Sequence, residues 1–354
     1  MSRELIVALD AMGGDHAPES VVKGASIARV RHPDVRFLMC GPEERLRALL
    51  KEHPKLEAVT TIDHTDDVVT GDAKPAVALR QGRNSSMRRA IDAVEAGRAM
   101  AVVSAGNTGA LMAMAKVALR TLPGITRPAI AGLFPTQRGE CAMLDLGANV
   151  QCDAQNLVQF AVMGEVFART VLALPEPTVG LLNVGSEDMK GNDALREANG
   201  ILGAASMPMR YRGFIEGTDI AGGTVDVVVT DGFTGNVALK TAEGTSKLVG
   251  EYVRQSFKNS IIAKLGYVLA RSAFNKMRAR LDPRRYNGAM FLGLNGIVVK
   301  SHGGTDAIGF ANAVAVAVDM AREGLLAKIR EDFDRIRAQR DMTGGGGPVA
   351  AVAV

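Results

Sequence analysis

The sequence predicts an α/β fold, a mainly parallel sheet sandwiched between two layers of helix. Three observations carry this reading. Short apolar runs alternate with helical patterns along most of the chain, the order expected of repeated β-α-β units. Glycine is abundant, at 39 residues, which suits many tight turns between strands and helices. Apolar residues make up 47% of the 354, enough for a large core, and neither a linker nor an internal repeat divides the chain.

The elements follow in order. Leu5-Ile6-Val7-Ala8-Leu9 marks a first strand over 4–9, and a helix follows over 17–31. VRFLMC predicts a strand at 35–40. A helix over 84–97, a strand at 100–104 (MAVVS), a helix over 107–120 and a strand at 141–146 (CAMLDL) come next. The helical pattern over 152–172 leads to the strand TVGLLNV at 178–184, and a helix over 191–205 precedes the strand VDVVVT at 225–230. Residues 248–281 read as amphipathic helix, because Val253, Phe257, Ile261, Leu265 and Leu269 recur every four residues. Residues 306–340 read as helix ending in a solvated, charged stretch. The expected organisation is one α/β domain over 1–340, with a protruding helical segment at about 248–282. The glycine-rich end, residues 341–354, is expected to be disordered.

Composition narrows the function classes. Aromatic residues are 4% of the chain and Trp is absent, so a nucleic-acid reader built on stacking is not expected. Cys40, Cys141 and Cys152 have no C-x-x-C spacing, and no signal peptide precedes the first strand. Both points suggest a reduced, cytosolic chain without zinc. No run approaches the roughly 20 apolar residues of a membrane span, so any membrane contact should be peripheral. The formal charge of +4 is uneven. Residues 250–285 hold nine Lys/Arg against only Glu251 and Asp282, leaving the remainder net acidic.

Ligands of open α/β sheets bind beyond the carboxyl ends of strands. Five strand ends here run into small polar turns. They contribute Asp10, Gly13, Gly14, Asp15 and His16; then Ser104, Gly106, Asn107 and Thr108; then Asp145 and Asn149; then Asn183 and Lys190; and finally Asp231, Thr234 and Asn236. Glycine lets backbone N–H groups approach a ligand, and helix starts aim them at anions. A single glycine turn is usually structural, whereas five suggest one shared pocket. Lys190, the only lysine in these turns, is either a solvated helix-start residue or a cation facing phosphate or an oxyanion. His16 is either a helix cap or an acid/base group. No G-x-S-x-G elbow, Walker lysine, H-E-x-x-H or EF-hand loop is present, which leaves covalent catalysis little support.

The basic stretch has two readings as well. Its apolar stripe suits a core-facing helix or a dimer seam. Arg254, Lys258, Lys264 and Arg271 among Leu, Ile, Phe and Tyr equally suit an interfacial helix that touches membrane or an acyl chain, through Phe257, Ile261, Leu265 and Leu269.

VALDAMGGDHAP, NSSM, SAGNTGALM, LDLGANV, GLLNVGSEDMKGN, VVVTDGFTGNVALKTAEG and NGAMFLGLNGIVVKSHG run in order from residue 6 to about 305. Together they resemble the bacterial phosphate acyltransferases, the PlsX family. The resemblance implies a Rossmann-like α/β/α sandwich, similar to phosphate acetyltransferases and isocitrate dehydrogenases, with a protruding helical pair. It implies acyl transfer from acyl–acyl carrier protein to inorganic phosphate, feeding glycerol-3-phosphate acylation at the start of phospholipid synthesis. It further implies a homodimer peripherally bound to the inner face of the cell membrane, near the membrane glycerol-3-phosphate acyltransferase, with no cofactor and no metal. Lys190 and Asn236 match positions treated as catalytic in the family, and the other motif residues, Lys300 and His302 among them, match pocket-lining positions. On this reading Asp10 or His16 orients or deprotonates phosphate, while backbone donors and Lys190 offset its charge.

Two rival functions stay open at this stage. A nucleotide-dependent dehydrogenase would use a similar fold, although the dinucleotide fingerprint is missing. A non-catalytic membrane scaffold would use residues 248–281 alone and would release no carrier thiol.

Overall fold

The computed structural model describes residues 4–204, 209–258 and 260–342. The strands are Ile6–Asp10 (β1), Arg36–Gly41 (β2), Thr60–His64 (β3), Ala101–Ser104 (β4), Ala129–Thr136 (β5), Gly139–Leu144 (β6), Thr178–Leu182 (β7), Arg210–Ile215 (β8), Val227–Val229 (β9), Ala289–Leu292 (β10) and Ile297–Lys300 (β11). Among the described residues they form one sheet in the order β3-β2-β1-β4-β11-β10-β5-β6-β9-β7-β8. The helices are Glu19–Arg31 (α1), Glu43–Leu50 (α2), Pro54–Glu57 (α3), Pro75–Gln81 (α4), Ser86–Glu95 (α5), Thr108–Leu119 (α6), Ala154–Val171 (α7), Asp193–Ala204 (α8), Gly217–Gly222 (α9), Gly232–Lys258 (α10), Ile261–Leu269 (α11), Arg271–Leu281 (α12), Ala307–Arg322 (α13) and Leu325–Met342 (α14).

Period-2 alternation in buried strands produces the layers. Val7 and Leu9 of β1 pack on one face with α1, α7, α13 and α14, while Ala8 packs on the other with α5 and α6. Both faces are covered, so the strands read as continuous apolar runs. The expected mainly parallel α/β sandwich is what the chain adopts.

Strand direction is the property that places the site. β2, β1, β4 and β11 run parallel. β11–β10, β10–β5 and β5–β6 are then antiparallel in succession, three reversals. β6, β9, β7 and β8 run parallel again, now opposed to the first block. Carboxyl ends of β1, β4 and β11 therefore lie along one edge, and those of β6, β7 and β9 along the opposite edge.

Several elements carry weak sequence signals. β3 (TTIDH) and β8 (RYRGFI) are the two outermost strands and keep polar residues. β5 contains Gly132 and Pro135, which interrupt its apolar run. The basic helical region also differs from expectation. It comprises three helices, not a pair, and α10 begins at Gly232 instead of about 248. Glycines 232, 235, 244 and 250 obscure the helical pattern there, yet Gly235 is required by close approach: a Cβ would lie 2.0 Å from the Asp145 carbonyl oxygen. Phe257, expected to face membrane, instead joins Tyr267 and Phe274 in an aromatic cluster with centroids 5.1–5.6 Å apart. It ties α10, α11 and α12 together. Leu265 and Leu269 are exposed as expected; the side chain of Ile261 lies outside the described residues, as do residues 205 and 343–354 of the expected helix and tail.

Candidate active site

The polar turns do not form one pocket within the chain. They separate into two groups, because their strands run in opposite directions. The first group gathers the turns after β1, β4 and β11. Asp10 is buried at its base, accepting hydrogen bonds from Ser86 Oγ and Ser104 Oγ, both at 2.6 Å. Ser104 Oγ in turn accepts from the Gly106 backbone at 3.0 Å. Gly13 stacks directly on this assembly: a Cβ there would sit 2.5 Å from Asp10 Oδ2 and 2.7 Å from the Gly106 nitrogen. Any larger residue would push the first two turns apart.

Asn107 caps α6, accepting from the Ala110 backbone at 2.8 Å, while its amide donates to the Gly71 carbonyl at 2.7 Å. Thr108 and Gly109 open that helix, and the first N–H groups of a helix have no intrahelical acceptor. An anion at this point meets free donors and the positive end of the helix dipole. The third turn closes over it. The Asp15 backbone donates to the Gly303 carbonyl at 2.9 Å, and Asn287 fixes the turn by donating to Ser301 Oγ (2.8 Å) and accepting from the His302 backbone (2.8 Å). His16, Asp15 and His302 are exposed at the lip.

Two assignments made on the sequence change here. Asp10 does not face a substrate. It is almost wholly buried, its oxygens are taken by two serine hydroxyls, and burial raises its carboxyl above the ordinary range against those hydrogen bonds. It is a positioning residue. Lys300 likewise lies beneath the turns, donating from Nζ to the carbonyls of Ala105 (3.2 Å) and Ser301. Burial draws its ammonium down to about 8, against the pull of Asp10 and Asp15.

The Lys300 shift has a measurable consequence. The folded chain gives up this proton near pH 8 and the unfolded chain near the ordinary 10.5. Between those values the unfolded state binds more protons, so the contribution of Lys300 to stability rises with pH; below about 8 the cost of burying its charge is fully present. The difference in unfolding free energy between wild type and Lys300→Met, from urea titrations, should therefore climb in favour of wild type from pH 8 to 10.5. Parallel curves would overturn the assignment.

The second group lies at the far edge. Asp145 accepts from the backbones of Ile130, Gly147, Ala148 and Asn149 and from the Asn149 amide, at 2.7–3.2 Å. Burial raises its carboxyl above the ordinary range, opposed by those donors. Asp145 thus builds the turn with both oxygens occupied, which corrects its expected binding role, while the Asn149 amide donates to Asp145 and to the Pro128 carbonyl. Asp231 caps α10 by accepting from the Thr234 backbone (2.8 Å) and hydroxyl (2.9 Å). Asn236, exposed in the next turn, donates to the Leu146 carbonyl at 3.1 Å. Lys190 is exposed on the turn after β7, its backbone donating to the Glu187 carbonyl at 2.9 Å, and Asn183 is buried below it. Cys152 lies nearby, but burial lifts its thiol to about 12, which removes it as a nucleophile.

Sequence reasoning passed over Ser86 and Asn287. Both fall within quoted motifs, NSSM and NGAMF, yet neither follows a strand, so their approach to the first group was invisible without the sheet order.

Comparisons with known proteins agree with this architecture. Residues 5–328 match the family described as Fatty acid synthesis protein. A phosphate acyltransferase of Rhodospirillum centenum is 66% identical over 338 residues, covering 96% of this chain and 95% of the relative. That of Paramagnetospirillum magneticum is 60% identical over 337 residues, covering 95% and 96%. Among solved structures, a phosphotransacetylase from Streptococcus pyogenes superposes with a TM-score of 0.61 at 17% identity, covering 91% of this chain and 95% of that one, a likeness of fold. Near-complete coverage at such identity settles the matter: the chain belongs to the phosphate acyltransferase family and is an acyl-transferring enzyme.

Proposed function

We propose that the acyl donor is acyl–acyl carrier protein, the acceptor inorganic phosphate, and the product an acyl phosphate for phospholipid synthesis. The observation that carries this reading is the meeting of three glycine-bearing turns at the start of α6. It supplies uncommitted N–H donors for a small anion without a surrounding ring of lysines.

Phosphate held there attacks the thioester carbonyl through one oxygen. The carbonyl becomes an oxyanion, to which Lys190 and Asn236 donate; the C–S bond then breaks, and the carrier thiolate leaves and takes a proton. His16, exposed at the lip, is an acid/base group of the first turn. Positioning and electrostatics supply the rate, and no acyl-enzyme forms. Weakly compensated phosphate keeps its nucleophilicity, which is compatible with Asp15 exposed at the lip of the turn. The test is release of free thiol from an acylated carrier protein, with and without phosphate. Release that requires phosphate and yields acyl phosphate supports the reading. Release at the same rate without phosphate, or none at all, refutes it.

Peripheral membrane attachment belongs to the same proposal, and would place the product beside a membrane glycerol-3-phosphate acyltransferase. Among the described residues no helix is long and apolar enough to cross a membrane. α11 nevertheless exposes Ile262, Leu265, Val268 and Leu269, with Lys264 and Arg271 alongside. Each basic residue near an anionic surface contributes about 1 kcal/mol, enough in sum for reversible binding. Combined Leu265→Glu and Leu269→Glu should abolish flotation with anionic liposomes at an unchanged unfolding midpoint. Undiminished flotation would return this face to a dimer-seam role.

A further inference from the structure

We infer that Lys74 is a phosphate-binding residue: the loop after β3 delivers its ammonium to the anion held at the start of α6. This rests on the phosphate reading given above. β3 pairs parallel with β2, and β2 with β1, so the carboxyl end of β3 opens on the same edge as the turns of the first group. β3 carries too few apolar residues for this strand end to show in the sequence. The loop that leaves it, residues 65–74, is tied down along its length. Thr65 is buried and donates to the Asn84 carbonyl at 2.7 Å. The Asp67 carbonyl accepts from the Ser86 backbone at 2.9 Å, on the residue whose hydroxyl holds Asp10. The Gly71 and Ala73 carbonyls accept from the Asn107 amide, at 2.7 and 3.3 Å, one residue before α6 begins. Pro75 then lies against α6 itself: a Cβ on Gly109 would sit 2.9 Å from its Cγ. The last three ties all run to residues of the first group.

That geometry places Lys74. Its backbone is extended (φ −65°, ψ 134°), the conformation a following proline imposes. Adjacent Cα atoms are about 3.8 Å apart, so a flexible four-carbon stem starting beside Pro75 brings an ammonium within range of an anion on the Thr108 and Gly109 N–H groups. The side chain is exposed and forms no ion pair among the described residues. Two nearby acids are engaged elsewhere: Thr70 hydrogen-bonds Asp72, and His64 Nε2 lies 3.6 Å from Asp66. A cation is also what the first group lacks. Lys300 donates to two carbonyls beneath the turns, while Asp10 and Asp15 add negative charge. One exposed ammonium offsets part of the phosphate charge and leaves its oxygens nucleophilic.

Steady-state kinetics of thiol release decide the point. Lys74→Gln keeps the stem and removes the charge. It should raise KM for inorganic phosphate ~10-fold, the worth of one charge-assisted hydrogen bond, at an unchanged unfolding midpoint. kcat and the acyl-carrier KM should hold, because the contact is made equally in ground and transition states. Lys74→Arg should stay within ~3-fold of wild type, and the Lys74→Gln deficit should shrink as ionic strength rises. Arg83→Gln removes another exposed cation, next to Gly82, which packs on Met114 further along α6; its phosphate KM should stay within ~2-fold of wild type. Thr108→Asp probes the anion site itself, since the helix start tolerates a carboxylate that phosphate does not, and should raise phosphate KM at least as much. An unchanged phosphate KM in Lys74→Gln, a rise confined to the acyl-carrier KM, or an equal rise in Arg83→Gln would overturn the role of Lys74. With Thr108→Asp still impaired, the phosphate site would stand without it. An unchanged phosphate KM in Thr108→Asp would instead sink the site at α6, and the role of Lys74 with it.

Discussion

Lys190→Ala is expected to lower phosphate-dependent thiol release by ~10²-fold or more, the usual cost of deleting one oxyanion donor. Its unfolding midpoint should stay unchanged. The side chain is exposed, it forms no ion pair among the described residues, and its stem only brushes Gly185, so truncation costs within about 0.5 kcal/mol. The loss should appear equally in kcat and kcat/KM, because an oxyanion exists only in the transition state. Lys190→Arg should recover part of the rate, since it restores the charge with different geometry. If KM for phosphate rose and kcat held, Lys190 would be a ground-state phosphate ligand. If turnover were near normal, it would leave the mechanism.

The contrast between Lys190 and Asp10 shows what the sequence discloses. Both sit in polar turns after apolar runs, and that pattern points both toward substrate. The structure leaves Lys190 in solvent and buries Asp10 under two serines. Local pattern revealed the buried strands β1, β2, β4, β6, β7 and β9, because fully covered strands are continuous apolar runs. It could not reveal edge strands β3 and β8, whose outer sides face water, or strand direction, which is a relation between elements far apart in the chain. Direction is what divides the turns into two groups. The expectation of a single shared pocket treated every carboxyl end as one edge, and three successive antiparallel pairings reverse that edge halfway across the sheet. Phe257 illustrates the same limit on a smaller scale. Its four-residue spacing is genuine, but Tyr267 and Phe274, which turn it inward, are brought to it by the bends between α10, α11 and α12.

Asp10→Ala is expected to destabilise the fold and disable the site together. Removing the carboxylate strands two buried hydroxyl donors, Ser86 and Ser104, and takes from Lys300 the nearer of its counter-charges, leaving Asp15. Losing a buried charged partner costs about 3–5 kcal/mol, which a urea titration resolves readily. Asp10→Asn should cost less, because its amide oxygen still accepts from one serine while its NH₂ can donate to the other hydroxyl oxygen. The mechanism of the loss can be separated by a double-mutant cycle. Asp10→Ala combined with Ser86→Ala deletes one stranded donor together with its acceptor, so the pair should be more stable than the sum of the two singles by ~1 kcal/mol or more. Strict additivity would mean that the carboxylate stabilises chiefly through charge. The kinetic effect should follow from geometry: Ser104 Oγ holds the Gly106 backbone at 3.0 Å, and the donors at the start of α6 move once that brace is loose. A displacement of about 1 Å at a reacting group can cost ~10²-fold. KM for phosphate should therefore rise in Asp10→Ala while acyl-carrier affinity holds, the signature of a residue that aims the anion site without touching the anion.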